Sequence, residues 1–457
     1  MMKTTDAGPH LRILAVGWEG GGNVPPTLAA VRALAGRGHD VRLIADDTMR
    51  AEAIEAGARF LPWNRAPNRP DRSFESCFVR DWEIADPLAG FQRGCERIFV
   101  GPAQAYAEDI LEALAMKPSD LLLGSDLLFG SMLAGEVAKV PTALLATNIS
   151  LWPLPGHPPF GPGFQPARSA ADRARDAEVA AMVEQAWDSF LPGLNTARAR
   201  FGLAPLAHVH EQPLSAGRHL LATSSSFDFP AGRLPDHVRY VGPLLEMPSW
   251  ARERWAGPPA GEIRPRVLVS FSTTNQGQAD VLQRVISGLA GEPVEVVVTL
   301  GKALEGLRLQ SPVNVAILAN AAHDDLLTKA RAVVTHGGHG TIMRSLCHGV
   351  PLVVLPMGRD QNDNAARVDY HGAGLRLDPS ATPQMIGEAV RRVLSEPSFA
   401  ERASAFGRAI AEEGPGPARL VAEIEDFVLR SSQGALPVHR KETKEWHTSL
   451  QAKVQWP

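Results

Sequence analysis

Two stretches of this chain alternate short apolar runs with helical segments, and that alternation restricts the fold to parallel α/β architecture. The first stretch opens the sequence. Residues 11–16 are apolar apart from Arg12, and the glycine-rich run Gly17-Trp18-Glu19-Gly20-Gly21-Gly22-Asn23 follows them. Pro25 and Pro26 then precede a segment at 27–37 in which Leu28, Val31, Leu34 and Ala35 recur at helical spacing. Proline fits a first helical turn, where its missing N–H loses nothing. Gly36 and Gly38 mark the helix end, and a strand restarts at 41–45. Further strands are predicted at 120–124 and 142–146, with a helix at 129–138 between them.

The second series begins after residue 265. It predicts strands at 267–271, 294–300, 315–318, 332–335 and 352–355, and helices at 279–289, 324–330, 341–348 and 362–370. Between the two series, residues 247–264 break into Pro, Trp, Arg and Gly and read as a linker. A chain of 457 residues exceeds what one hydrophobic core usually serves. The expected organisation is therefore a domain at 1–246, the linker at 247–264, a second domain at 265–432 and a polar, basic tail at 433–457. Residues 64–100 read as irregular and rich in Phe, Trp and Arg. Residues 153–166 hold six prolines and three glycines, the composition of a binding loop or of a surface excursion.

A net charge of -4 without a basic block argues against nucleic acid as a partner. No apolar run approaches the roughly 20 residues that cross a bilayer, and residues 1–11 lack the apolar stretch of a secretory signal. Three cysteines (Cys77, Cys95, Cys347) without paired spacing suggest neither disulfides nor a zinc site. The expectation is a reduced, cytoplasmic protein; oligomeric state is not legible.

The most informative motif is Thr335-His336-Gly337-Gly338-His339-Gly340-Thr341, which follows a strand and opens a helix. Glycines there let the backbone approach a ligand, and the exposed N–H groups with the helix dipole attract phosphate. His336 is read as a further donor to the same anion. No Lys-Ser/Thr pair follows, so this is not a P-loop. Downstream stand Gly349-Val350-Pro351, Leu355-Pro356, Asp360-Gln361, Asn364 to Val368 and Gly372-Ala373-Gly374. A carboxylate beside an amide after a strand suits vicinal sugar hydroxyls.

In that order the motifs resemble the signature of the large inverting family of nucleotide-sugar glycosyltransferases that includes plant flavonoid and bacterial macrolide enzymes. Residues 120–145, Leu194-Asn195 through Arg198 to Gly202-Leu203, and Tyr240 to Leu244 resemble their counterparts there. The resemblance implies two Rossmann-like α/β domains facing across a cleft, the GT-B arrangement. It further implies that His336, His339 and the Gly338-to-Thr341 turn (Gly338, Gly340, Thr341) contact the donor diphosphate with help from Ser272 and Thr273. Asp360 and Gln361 would hold the sugar.

The chain departs from that family's pattern at three points. Arg344 stands where members often carry a ribose-binding glutamate, and an arginine cannot accept hydrogen bonds; it could instead sit near the diphosphate. Asn320-Ala321-Ala322-His323 lacks the base-stacking aromatic, so the nucleotide could be UDP, dTDP or GDP, with UDP or dTDP favoured. Asn23 occupies the place of the histidine that deprotonates the acceptor, and an asparagine can only orient or hydrogen-bond it. Asp126 could then act as the base directly, Glu19 could reach the site from the glycine loop, or the acceptor could be acidic enough to need little help. Asp126 could equally be a helix N-cap.

The implied reaction is a single in-line displacement at the anomeric carbon with inversion, through an oxocarbenium-like transition state. No Asp-any-Asp motif occurs, which fits catalysis without metal or other cofactor. The expected partners are a nucleotide sugar and a small hydrophobic or aromatic acceptor, a natural product, in a pocket drawing on Trp63, Phe74, Phe78, Trp82, Trp152 and Phe160, though several of these could simply fill core. Two other classes remain open. A non-catalytic relative would bind ligand or a partner transferase only. An NAD or FAD oxidoreductase would use Gly20 to Gly22 with Asp46 or Asp47, but Pro25 breaks its fingerprint.

Overall fold

The computed structural model describes residues 10–84, 86–246, 264–271, 276–301, 304 and 306–433. They form two all-parallel sheets. The first contains β1 (Arg12–Val16), β2 (Asp40–Ala45), β3 (Arg59–Pro62), β4 (Leu121–Ser125), β5 (Thr142–Ala146), β6 (Arg218–Leu221) and β7 (Val238–Tyr240), in the order β3-β2-β1-β4-β5-β6-β7. The second contains β8 (Arg266–Ser270), β9 (Glu295–Thr299), β10 (Val315–Leu318), β11 (Ala330–Thr335), β12 (Leu352–Val354) and β13 (Gly374–Arg376), in the order β10-β9-β8-β11-β12-β13. Helices cover both faces, so central strands are buried on both sides and their apolar runs are continuous instead of alternating.

Each sheet reverses its winding once, between β1 and β4 in the first and between β8 and β11 in the second. Ligands of open α/β sheets bind beyond the carboxyl ends of the strands at such reversals. The Gly17-to-Asn23 loop leaves β1, Asp126 follows β4, and His336 to Gly338 follow β11. Three of the sequence-predicted groups therefore sit at the two positions that the topology favours.

The helix after the glycine loop spans Val24–Gly36 and includes both prolines in its first turn, three residues earlier than the periodicity predicts. The stretch read as irregular contains the helix Pro87–Gly94, started by Asp86, whose carboxylate accepts from Leu88 N–H at 3.0 Å. It runs into a π-helical turn at Cys95–Phe99. The final helix, Gly416–Ser432, corrects the expected domain boundary. Its apolar face (Leu420, Val421, Ile424, Phe427) is buried in the core formed by β1, β2 and the helix Val24–Gly36, so the chain crosses back to the first domain. Most of the linker and nearly all of the tail, 247–263 and 434–457, lie outside the described residues. No helix among the described residues is long and apolar enough to cross a membrane.

Candidate active site

The first-domain half is built around the β1–helix loop. Asn23 ties the loop together: its amide donates to the Trp18 carbonyl at 2.8 Å and its carbonyl oxygen accepts from Gly20 N–H at 3.0 Å. Position 20 must be glycine, because a Cβ there would lie 2.5 Å from the Trp18 ring and 2.7 Å from Asn23 Oδ1. Glu19 is not available as a base. One carboxylate oxygen receives Gly21 N–H at 3.0 Å and the other pairs with Arg72 Nε at 2.7 Å, so both oxygens are engaged within the loop. Asp46, needed for a dinucleotide ribose, is spent on the same loop: it accepts from Glu19 N–H at 2.6 Å and Arg69 N–H at 2.7 Å.

Asp126 differs from all of these. It is buried, and its Oδ2 has no hydrogen-bond partner among the described residues. Burial pushes its pKa up to about 7, opposed only by its own backbone N–H. It is not the cap of the following helix, whose N-cap is Leu128. Asp126 lines two cavities. One is lined by Trp18, Asn23, Thr27 and Thr147, the other by Ser150, Trp152, His210 and His237. The structure thus brings Asn23 and Asp126 to one cavity wall, beside the indole of Trp18.

In the second domain, the turn after β11 feeds the helix His339–Cys347, capped by Gly338. Its first N–H groups lie at an open face, since nothing lies within 4 Å of a Cβ placed on Gly340. His336 packs behind this turn. Its Nε2 lies 2.8 Å from where a Gly338 Cβ would be, and its ring lies 6.0 Å from Phe271. Burial lowers its pKa to about 4, with a hydrogen bond to the Ser270 backbone opposing. The ring is therefore neutral and tethered to the end of β8, against Gly338. His339 also departs from expectation. Its Nε2 lies 2.9 Å from Thr223 Oγ1 of the first domain, and burial lowers its pKa to about 3, so its side chain serves the domain interface. Thr341 is half-buried on the same first turn. Ser272 and Thr273 lie outside the described residues.

Asp360 and Gln361 follow β12. Gln361 is fully engaged: its amide donates to Gln276 at 2.9 Å, and its carbonyl accepts from Met357 N–H at 2.8 Å. Asp360 Oδ2 accepts from Asn364 Nδ2 at 2.8 Å and, across the cleft, from Asn148 Nδ2 at 3.3 Å. Burial pushes its pKa up while those two amides hold it down. Arg359, at φ 54°, reaches the Gly20 carbonyl at 3.3 Å. Arg344 does not face the diphosphate side; its guanidinium pairs with Asp324 at 2.6 Å and donates to the Glu246 carbonyl at 3.0 Å.

Deeper in the interface a buried ion pair joins the domains. Asp228 Oδ1 receives Arg367 at 2.7 Å, and its Oδ2 accepts from the Tyr240 hydroxyl at 2.8 Å. Burial pushes Asp228 up, but Arg367, His157 and Tyr240 together hold it below the usual carboxylate range. The proline-rich segment 153–166 is a strap across this interface: Gly161 N–H donates to Asp363 at 2.8 Å and Arg376 donates to the Gly163 carbonyl at 2.7 Å.

Residues 283–427 match the family described as erythromycin biosynthesis protein CIII-like, C-terminal domain. The chain is 30% identical over 394 residues to 4'-demethylrebeccamycin synthase of Lentzea aerocolonigenes, covering 85% of this chain and 93% of that protein. The chain belongs to the antibiotic-type glycosyltransferase family. Its fold matches the solved glycosyltransferase of kitacinnamycin at TM-score 0.72 and 22% identity, covering 92% of this chain and 99% of that one. It also matches the glycosyltransferase VinC, solved in complex with dTDP, at TM-score 0.62 and 19% identity, covering 92% and 100%. These are two-domain GT-B folds, as the motif order implies.

For this glycosyltransferase, the aromatic residues expected around the acceptor divide. Trp63 is core: its Nε1 donates to the Gly17 carbonyl at 3.2 Å and its ring meets Tyr106 edge-on. Phe160 packs against the second domain's core, and the exposed Phe74 leans on Trp82. Phe78 packs partly buried on the first domain's core. Trp152 does line the Asp126 cavity, tilted against Trp187 at 5.1 Å. Sequence reasoning missed Trp18, Asn148 and Arg359. Trp18 sits inside the glycine loop and was legible from that position; a single asparagine and an arginine at positive φ carry no local signal.

Proposed function

We propose that this glycosyltransferase moves a sugar from a pyrimidine nucleoside diphosphate, UDP or dTDP, to the hydroxyl or N–H of a small hydrophobic or aromatic natural product, with inversion. Asp126 is the general base. The observation that carries this reading is its buried carboxylate with an unpartnered oxygen and a pKa of about 7, facing the cavity it shares with Asn23 and Trp18. A base with that pKa is half ionised at neutral pH, where proton-transfer efficiency is greatest. Asn23 holds the loop that forms the cavity wall and takes no proton.

On the donor side, the N-terminal turn of His339–Cys347 stabilises the leaving diphosphate through the N–H groups of Gly338 to Thr341 and the helix dipole. His336 props that turn from behind. Asp360 accepts hydrogen bonds from sugar hydroxyls, Gln361 fixes the loop beneath it, and the dTDP held by VinC supports a pyrimidine donor. Catalysis needs no metal in this reading, and the reaction takes place in the cytoplasm.

The test is a thermal shift against UDP, dTDP, GDP, NAD and FAD at matched concentrations. A ligand at 100 times its Kd adds about 2.7 kcal/mol of stability. A shift with UDP or dTDP alone is expected; a shift with NAD or FAD alone refutes the proposal.

A further inference from the structure

Away from the cleft, the helix Ala170–Asp188 is polar around its circumference, and Trp187 is its one buried residue. Its C-terminal end is anchored through Trp187, which packs with Phe129 and Trp152. That end meets the short turn carrying His208 and His210. Glu184 and Asp188, four residues apart, project from the same helical face toward the turn. The two imidazole rings stack at 5.2 Å with an interplanar angle of 13°, which brings their nitrogens to one side. His208 Nδ1 lies 2.7 Å from Asp188 Oδ2 and 3.8 Å from Glu184 Oε1, while His210 Nδ1 lies 3.4 Å from Glu184 Oε2.

We propose that Glu184, His208 and His210, with Asp188 beside them, form a binding site for one divalent transition ion of the zinc class. Ligand atoms about 2.0 Å from a tetrahedral zinc lie about 3.3 Å from one another, and the three distances here bracket that edge. Ligand atoms of Glu184, His208 and His210 all lie within 4.8 Å of one another. Two imidazoles with carboxylates suit zinc or nickel over calcium or magnesium, which prefer all-oxygen shells. The Asp188 carboxylate is already oriented, because its Oδ1 accepts from Val209 N–H at 2.9 Å. Without metal, the Nδ1 proton of His208 bridges to Asp188; the ion takes the place of that proton.

The consequence is a staple. The ion pins the last turn of the polar helix to a turn whose His210 also lines the cavity at Asp126, and it fixes Trp187 against Trp152 and Phe129. The site is thus structural and stands on the acceptor side, apart from the donor.

The test is calorimetric titration of ZnCl2 into the full-length, tag-free, chelator-treated protein, followed by Co2+ substitution. One equivalent should bind saturably, and Co2+ should give the intense visible absorption of a tetrahedral site. Glu184→Gln and His210→Phe, the latter keeping the stacked ring, should each weaken binding by about 100-fold or more. Glu178→Gln, on the same helix, should leave it unchanged. Circular dichroism checks that each variant folds, and Glu184→Gln, at a side chain 41% exposed, keeps the test decisive if His210→Phe does not. The absence of saturable binding, or equal affinity in wild type and Glu184→Gln, overturns the proposal and leaves two histidine–carboxylate pairs that hold the helix end.

Discussion

Replacing Asp126 with asparagine should make this protein slower and, at alkaline pH, more stable. Both effects come from one fact: burial moves the carboxyl from 3.8 to about 7. That displacement corresponds to roughly 4 kcal/mol of penalty on the ionised form, an upper figure because local water entry relaxes it. The folded-state pKa lies above the unfolded one, so the folded chain binds more protons between about pH 4 and 7. Stability is therefore fully present below pH 4 and declines as the pH rises through about 7. Asparagine keeps the shape and carries no charge, so it escapes the penalty. Melting curves of both proteins from pH 5 to 8.5 should diverge, with Asp126→Asn the more stable by several degrees at the upper end. Over the same range wild-type kcat/KM should rise with unit slope below pH 7 and level off above it, since the base works only when ionised. The variant should lose about 10² or more in rate and lose that rise. Parallel melting profiles would show that Asp126 is not strained by burial. A rate within about threefold of wild type would remove it from the mechanism.

Three further outcomes follow from other contacts. Gly338→Ala places a Cβ 2.8 Å from His336 Nε2 at ordinary backbone angles, so the cost is purely steric. It should abolish the UDP- or dTDP-induced thermal shift while the unliganded protein still melts cooperatively. Asp228→Asn leaves the Arg367 guanidinium buried without its counter-charge and should cost about 3–5 kcal/mol, read as a lowered thermal midpoint. Asn148→Ala removes one long hydrogen bond to Asp360, so donor KM should rise by no more than about tenfold with the midpoint unchanged.

The strands and the glycine turns were legible because each depends on local sequence. A doubly buried parallel strand needs a continuous apolar run, as at Leu121–Ser125, and a helix beginning at Gly338 needs its glycines. What escaped depends on partners distant in the chain. β6 and β7 are short, and the apolar face of Gly416–Ser432 says that the helix is covered without saying by which domain. His336 and His339 share one motif, yet one props the turn behind Gly338 and the other meets Thr223, 116 residues away in sequence. Arg344 pairs with Asp324, which no spacing rule links to it. The freedom of Asp126 Oδ2 was the least legible property of all, because the lack of a partner has no sequence signature.

The same distinction between engaged and unengaged groups orders the cleft itself. Two buried carboxylates stand at the carboxyl edges of the two sheets, and burial raises both. Asp360 receives two amide hydrogen bonds that favour its charge; Asp126 receives none from another residue. Asp360 is thus held as a hydrogen-bond acceptor by neighbouring amides, while the Asp126 carboxylate has no such support. The contacts that bridge the mouth, Asn148 to Asp360 and Arg359 to the Gly20 carbonyl, are both long at 3.3 Å, whereas the Asp228–Arg367 pair behind them is short at 2.7 Å and buried. A cleft tight at its base and loosely bridged at its mouth can exchange the mouth contacts for substrate hydroxyls without releasing the domains.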